Sequence, residues 1–328
     1  MATPEPINSI FQKGRIDAED ALDLRRLVYT GDGAISADEA EWLFRLNDRC
    51  DGECDAWPDL FVEALTDYIV NQTFPERHIS EENARWLIDR ISQSGVVKSR
   101  TELELLVKVL EVAQSSPESL ERFALDQVRR GALFGTGPTR VGVDLEPGRI
   151  GEGEVDLLRR ILYAYGGGRA IAISRSEAEA LFDIADATVD EDNHPSWADL
   201  FVKAIANYLM ALSGYRVPTR EEALKREAWL ADTEVNVSGF FRRAFSGGLS
   251  GVLDAYKPRE PETKVRFDEM QSEIAANEHI TAEEADWLIE RIQGDGIMHE
   301  NERALLRFIR DESPQIDPSL KKLIDKVA

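Results

Sequence analysis

Cysteine, histidine and long apolar runs are scarce in this chain, and each scarcity narrows what it can be. There are two cysteines in 328 residues, Cys50 and Cys54. They sit close together in one acidic segment, unlike the spread, even framework of a disulfide-stapled secreted domain. A reducing compartment is expected. Nowhere do eighteen apolar residues run together, and Met1-Ala2-Thr3-Pro4-Glu5-Pro6 has neither a basic start nor an apolar stretch of signal-peptide length. A cytoplasmic protein without a transmembrane segment is expected. Positive charge is also short: 39 Lys and Arg stand against 62 Asp and Glu, a net charge of −23. Duplex DNA and anionic lipid would be repelled, so no nucleic-acid partner is expected. Four histidines leave little from which to build a catalytic base, and no P-loop, Rossmann fingerprint, nucleophile elbow or His-Glu-x-x-His motif occurs. The expectation is a noncatalytic protein, with a carboxylate-based enzyme site as a distant alternative.

Repetition is what the chain has in plenty. Trp57-Pro58-Asp59-Leu60-Phe61-Val62-Glu63-Ala64-Leu65-Thr66-Asp67-Tyr68 recurs as Trp197-Ala198-Asp199-Leu200-Phe201-Val202-Lys203-Ala204-Ile205-Ala206-Asn207-Tyr208. Upstream, Leu24-Arg25-Arg26-Leu27-Val28-Tyr29 answers Leu158-Arg159-Arg160-Ile161-Leu162-Tyr163, and Ile35-Ser36 answers Ile173-Ser174. Downstream, His78-Ile79-Ser80 through Trp86-Leu87-Ile88-Asp89-Arg90-Ile91 returns as His279-Ile280-Thr281 through Trp287-Leu288-Ile289-Glu290-Arg291-Ile292. The order is preserved, but this last pair is spaced about sixty residues wider than the first, so the second copy carries an insertion.

A shorter signature repeats inside each copy. Ser36-x-x-Glu39, Ser174-x-x-Glu177, Thr219-x-x-Glu222 and Thr281-x-x-Glu284 are capping boxes, with Ser80 and Asn83 a weaker form. In a box the hydroxyl and the carboxylate satisfy amides that a helix start leaves without partners. Apolar residues three and four apart follow, as in Leu60, Phe61, Ala64, Leu65, Tyr68 and Ile69, which is helical periodicity. No convincing alternating strand is found. The fold class expected is all-α: two homologous multi-helix domains built from repeated helix-turn-helix units. The first domain is expected over 1–130 and the second over 154–328. A Gly/Pro-rich linker is expected over 131–153 and the insertion at about 235–265.

All six tryptophans fall at two places in the repeat: Trp42, Trp86, Trp229 and Trp287 in the box-initiated helices, Trp57 and Trp197 in the longer one. Core pegs are expected, an exposed aromatic row being the alternative. The insertion is locally basic and apolar in an acidic chain. Its Phe240, Phe241, Arg242, Arg243 and Phe245 are the candidate partner-binding residues, for a protein partner or for self-association.

Carboxylates supply the candidate metal ligands. Gly31-Asp32-Gly33-Ala34-Ile35-Ser36-Ala37-Asp38-Glu39 matches the second half of an EF-hand loop, and Asp295-Gly296-Ile297-Met298 with Glu302 is a second such phrase. The first half of the loop is missing. Val28 and Thr30 stand where the first ligands belong in one phrase, and Arg291 in the other. Asp48, Asp51, Glu53 and Asp55 crowd an interhelix connection, as do Asp186, Asp190, Glu191, Asp192, Asn193 and His194 in the second copy. Asp32, Glu39, Asp48, Asp51, Asp295 and Glu302 are therefore the metal candidates, for no cofactor at all or for weakly bound calcium or another divalent cation. The phrase Gly-Asp-Gly-x-Ile-Ser-x-x-Glu before an apolar helix resembles the TerB-like, tellurite-resistance class of small helical domains. That resemblance implies a tandem helical protein with acidic turns linked to metal binding and stress. A protein-protein interaction or scaffolding role is the expected function, and a cation-responsive protein of TerB-like type is the alternative.

Overall fold

The computed structural model describes residues 4–29, 34–52, 54–140, 147–164, 173–189, 191–212, 282–293, 298–312 and 317–325. Over these residues the chain is all-α. It divides into two compact units, Met1–Pro147 with Tyr163–Gly167, and Gly148–Leu162 with Gly168–Ala328. Helices are numbered here over the described residues alone. Residues 235–265, with Phe240, Phe241, Arg242, Arg243 and Phe245, lie outside them, as do Asp32, Asp295, Thr219, Thr281 and Trp229.

In the first unit α1 (Glu5–Lys13), α2 (Ala18–Val28) and α3 (Ala37–Arg49) precede α4 (Ala56–Thr66), which continues as a π-helical turn over Asp67–Asn71. Then come α5 (Glu81–Ile91), α6 (Arg100–Val112) and α7 (Glu118–Phe134). The helices begin where local chemistry can satisfy free amides. Ser36 accepts from the Glu39 N–H while the Glu39 carboxylate accepts from the Ser36 N–H at 2.8 Å. Asp17 with Asp20 closes a second box, and Ser80 and Ser99 cap α5 and α6. The apolar α4 is the hub, packing on α2, α3 and α6 while α5 packs on α7. Trp57, Leu60, Phe61, Ala64 and Leu65 are buried along it.

Two short ladders accompany the helices. Arg15–Ile16 (β1) pairs in parallel with Asp51–Gly52 (β2), joining the ends of α1 and α3. Ser92–Gln93 (β3) and Val96–Val97 (β4) form a hairpin whose turn residues Ser94 and Gly95 both have positive φ, the backbone twist a two-residue hairpin favours. Gln127 of α7 holds it, accepting from the Val97 N–H and donating to the Gly95 carbonyl.

In the second unit α8 (Glu152–Leu162), α9 (Arg175–Ala187) and α10 (Ser196–Leu212) are followed by α11 (Ala282–Ile292), α12 (Glu300–Glu312) and α13 (Pro318–Ile324). Here α10 is the hub, packing on α8, α9 and α12, while α11 packs on α13. Ser174 and Glu177 form the capping box of α9.

The stretch expected as linker, 131–153, is structured at both ends. α7 runs past residue 130 to Phe134 and stops at Gly135, whose φ of 63° is the left-handed cap that glycine accepts most easily. Gly131 lies inside that helix, and a Cβ there would meet the Thr139 hydroxyl at 2.0 Å. Its carbonyl accepts from buried Arg140 at 2.9 Å. Gly131 is thus a close-approach glycine within a helix, and the division between units falls inside the expected stretch, at Pro147 and Gly148.

Candidate functional site

Each unit is centred on one aromatic cluster, and the two clusters have the same parts. In the first, Phe44 of α3 meets Phe61 of α4 and Trp86 of α5 edge to face, with centroids 5.4 and 5.9 Å apart. Trp57 tilts on Phe61 at 5.8 Å and Tyr68 meets Trp86 at 6.2 Å. In the second, Phe182 meets Phe201 at 5.0 Å and Trp287 at 5.7 Å, Trp197 tilts on Phe201 at 6.0 Å, and Tyr208 meets Trp287 at 4.8 Å. Edge-to-face pairs place the positive ring edge on a negative face, so these contacts also fix ring orientation. One arginine sits over each central phenylalanine: Arg90 lies 4.5 Å from the Phe44 centroid, and Arg291 lies 5.2 Å from that of Phe182.

Those arginines tie the carboxylates around them. Arg90 donates to Asp48 at 3.0 Å and lies 3.6 Å from Glu41, while Arg291 donates to Asp183 at 2.7 Å. In the first unit Lys98 joins the group, at 2.6 Å from Asp48 and 3.0 Å from Glu102. Burial by itself would raise the Asp48 pKa, but hydrogen bonds from Lys98 and Arg90 overcome it and hold the carboxyl below its ordinary value. For Glu102 burial wins: its pKa is raised despite the pull of Lys98 and Ser99.

The metal candidates that the structure describes do not gather. Glu39 stands in the first turn of α3 and Asp48 in the last, about 13 Å apart along the axis at 1.5 Å per residue. Glu39 is engaged in its capping box and Asp48 in its ion pairs. Asp51 is exposed in β2, with its N–H given to the Gly14 carbonyl. Glu302 is buried at the start of α12 and accepts from the His299 N–H at 2.7 Å. In the acidic connection of the second unit, Asp192 pairs with Arg149 and Asn193 accepts from the Ile150 N–H. Among the described residues no three His, Cys, Asp or Glu side chains group so as to hold a metal ion. Cys50 and Cys54 are free thiols whose sulfurs face different carbonyls, of Ile10 and Ile16, and burial raises the Cys50 pKa. Raised and shielded, Cys50 lacks the thiolate character of a reactive cysteine.

The tryptophans divide. Trp57, Trp197 and Trp287 are core residues, as expected, while Trp42 is half-buried. Trp86 departs from the expectation: it is 41% exposed, although its counterpart Trp287 is 6% exposed. One difference beside the two rings lies on a neighbouring helix. Arg175, the first residue of α9, lays its guanidinium over the Trp287 ring at 5.9 Å, and Ala37 holds the corresponding place on α3. Sequence reasoning passes over this pair, because the phrases containing Trp86 and Trp287 read alike and the discriminating residue lies far from both. Aligning Ser36-Ala37 with Ser174-Arg175 is the signal that finds it.

In comparison with known proteins, the chain matches no family model, no curated protein and no solved structure. Among the described residues no helix is long and apolar enough to cross a membrane.

Proposed function

We propose that the chain is a noncatalytic protein-protein interaction or scaffolding protein, made by duplication of one helical unit. The observation that carries this reading is the contrast between the two aromatic clusters. Their ring contacts agree in kind, with Tyr68–Trp86 wider at 6.2 Å than Tyr208–Trp287 at 4.8 Å, yet one indole is covered and the other stands open on a helical face. A duplicated core kept as a frame, with exposed aromatic surface left on one copy, suits recognition of another protein, where rigid aromatics supply contact area at low entropic cost. Glu39, Asp48 and Glu302 carry their charge in intrachain bonds, which supports a structural use for them. Sedimentation of the intact chain, alone and with partners cross-linked in its source cell, tests the reading. A discrete complex or oligomer is expected. A chain that stays monomeric and cross-links to nothing would remove it.

The cation-responsive reading, which the TerB-like phrases suggest, is the second proposal. Calcium calorimetry separates the two. Submicromolar binding that disappears in Glu39→Gln would place the cation first, whereas the scaffold reading expects any binding to be in the high micromolar to millimolar range of ligand-poor sites.

A further inference from the structure

The second unit shows what chemistry belongs beside its outer indole. The Arg175 guanidinium lies over Trp287, its Nε bonds Glu179 at 2.9 Å, and Tyr208 and Glu290 stand within electrostatic range. Trp287, Tyr208, Glu179 and Glu290 thus form an aromatic and acidic box, filled by an arginine from its own unit. The first unit has the same walls: Trp86, Tyr68, Glu41 and Asp89 occupy the matching places in the repeated phrases. Trp86 and Tyr68 are in ring contact, Glu41 lies on α3, and Asp89 follows Trp86 by three residues on the same helical face. The residue in the arginine's place is Ala37, which is exposed. Among the described residues no cation lies over Trp86.

We infer that this face of the first unit receives the guanidinium of an arginine presented by an exposed segment of a protein partner. Phe44 holds the Trp86 ring edge to face, so the platform is ordered before a ligand arrives. Asp89 is exposed, as is Glu41, whose side chain is 54% exposed despite Arg90 at 3.6 Å, and the net charge of −23 favours a cation over any anionic occupant. Arginine is preferred to lysine because a planar guanidinium stacks on an indole while its N–H groups fork to a carboxylate. A second difference falls at the same wall: Tyr68 lies in the π-helical turn, whereas α10 carries Tyr208 through an α-helix without interruption. Such turns are frequent at functional sites.

This inference rests on the interaction reading and has its own test. The full chain is labelled with 5-fluorotryptophan, the Trp86 signal is identified by its loss in Trp86→Phe, and three blocked peptides are titrated. Each has the form acetyl-Gly-Ala-Leu-X-Leu-Ala-Gly-amide, with X arginine, lysine or citrulline. The arginine peptide should move the Trp86 signal and bind at least about tenfold tighter than the uncharged citrulline peptide, with lysine between them. Ala37→Arg, a change at an exposed helix position, should supply the cation internally, shield Trp86 from iodide and abolish peptide binding. Equal binding of the three peptides, or undiminished binding to Ala37→Arg, would overturn the inference. Self-association abolished by Ala37→Arg without any peptide binding would put a second copy of the chain there instead, and would also overturn it. Partner complexes that survive Ala37→Arg would sink this site and leave the interaction reading standing. Absence of any complex or oligomer in both chains would sink the interaction reading itself.

Discussion

Replacing Lys98 by methionine keeps the stem of the side chain and removes its charge from between two carboxylates of very different exposure. Glu102 is 1% exposed, so loss of its cation at 3.0 Å leaves a buried negative group with Ser99 as its remaining donor. Asp48 also loses a bond of 2.6 Å but keeps Arg90. Breaking a fully buried pair costs about 3 to 5 kcal/mol, and here the Lys98 head is partly solvated, so about 2 to 3 kcal/mol is expected near neutral pH. That corresponds to a fall of about 5 to 10 °C in Tm for a unit of this size. The pH dependence follows from the direction of each shift. Glu102 has a raised pKa in the folded chain, so its contribution is full below its unfolded value and declines as pH rises through the folded one. Removing Lys98 raises that pKa further. The deficit of Lys98→Met is therefore largest at neutral pH and shrinks as Glu102 takes up a proton. Asp48 behaves oppositely: its lowered pKa gives stability that is present above the unfolded value and lost as pH falls through the folded one. Urea unfolding of both chains at about pH 7.5 and about pH 5 measures the difference, and the deficit at the higher pH should be larger by about 1 kcal/mol. Equal deficits at the two pH values, or a deficit under about 0.5 kcal/mol at the higher, would refute the reasoning.

Asn47→Ala removes the acceptor 3.3 Å from the Trp57 indole N–H and should cost about 1 kcal/mol in chemical unfolding without loss of fold. The second unit already keeps buried Trp197 with no hydrogen-bond partner for its indole among the described residues, with Ala185 at the matching position. Trp57→Ala and Trp197→Ala should each destabilise by about 3 to 5 kcal/mol, and free quenching of both indoles by iodide in the intact chain would contradict their burial. Ser174→Ala, which strips the cap from α9, should cost about 1 kcal/mol by thermal melting, and a neutral result would show that Glu177 alone holds that helix start.

What was legible in the sequence followed from short-range rules. Ser36, Ser80 and Ser174 mark helix starts because capping is settled within four residues, and the spacing of Leu60, Phe61, Ala64 and Leu65 shows the buried stripe of α4. The Asp17 box escaped the same rule because two aspartates replace the usual hydroxyl and glutamate. Gly131 reads as a breaker, since its role is set by Thr139 and Arg140 folding back on it. The two-residue ladders carry too few positions for any alternation to show. The candidate site depended on longer range still. Arg90 and Lys98 reach Asp48 across 42 and 50 residues, so nothing local separates a structural carboxylate there from a metal ligand. The open indole of Trp86 does not show in its own phrase, and the residue that differs nearby, Ala37 against Arg175, stands on another helix and shows only when the two repeated phrases are set side by side.

The thiol of Cys50 gives the chain a built-in clock. It is buried against the carbonyl of Ile10 on α1, 3.9 Å away, at the point where α3 ends and β2 begins. An alkylating reagent reaches that sulfur when α1 lifts from α3 or when the unit unfolds, so the labelling rate counts those openings. Cys54, half-buried beside the carbonyl of Ile16, is partly open to the same reagent in the folded chain and serves as the internal reference. With no other cysteine in the sequence, the ratio of the two rates measures how strongly the fold protects Cys50.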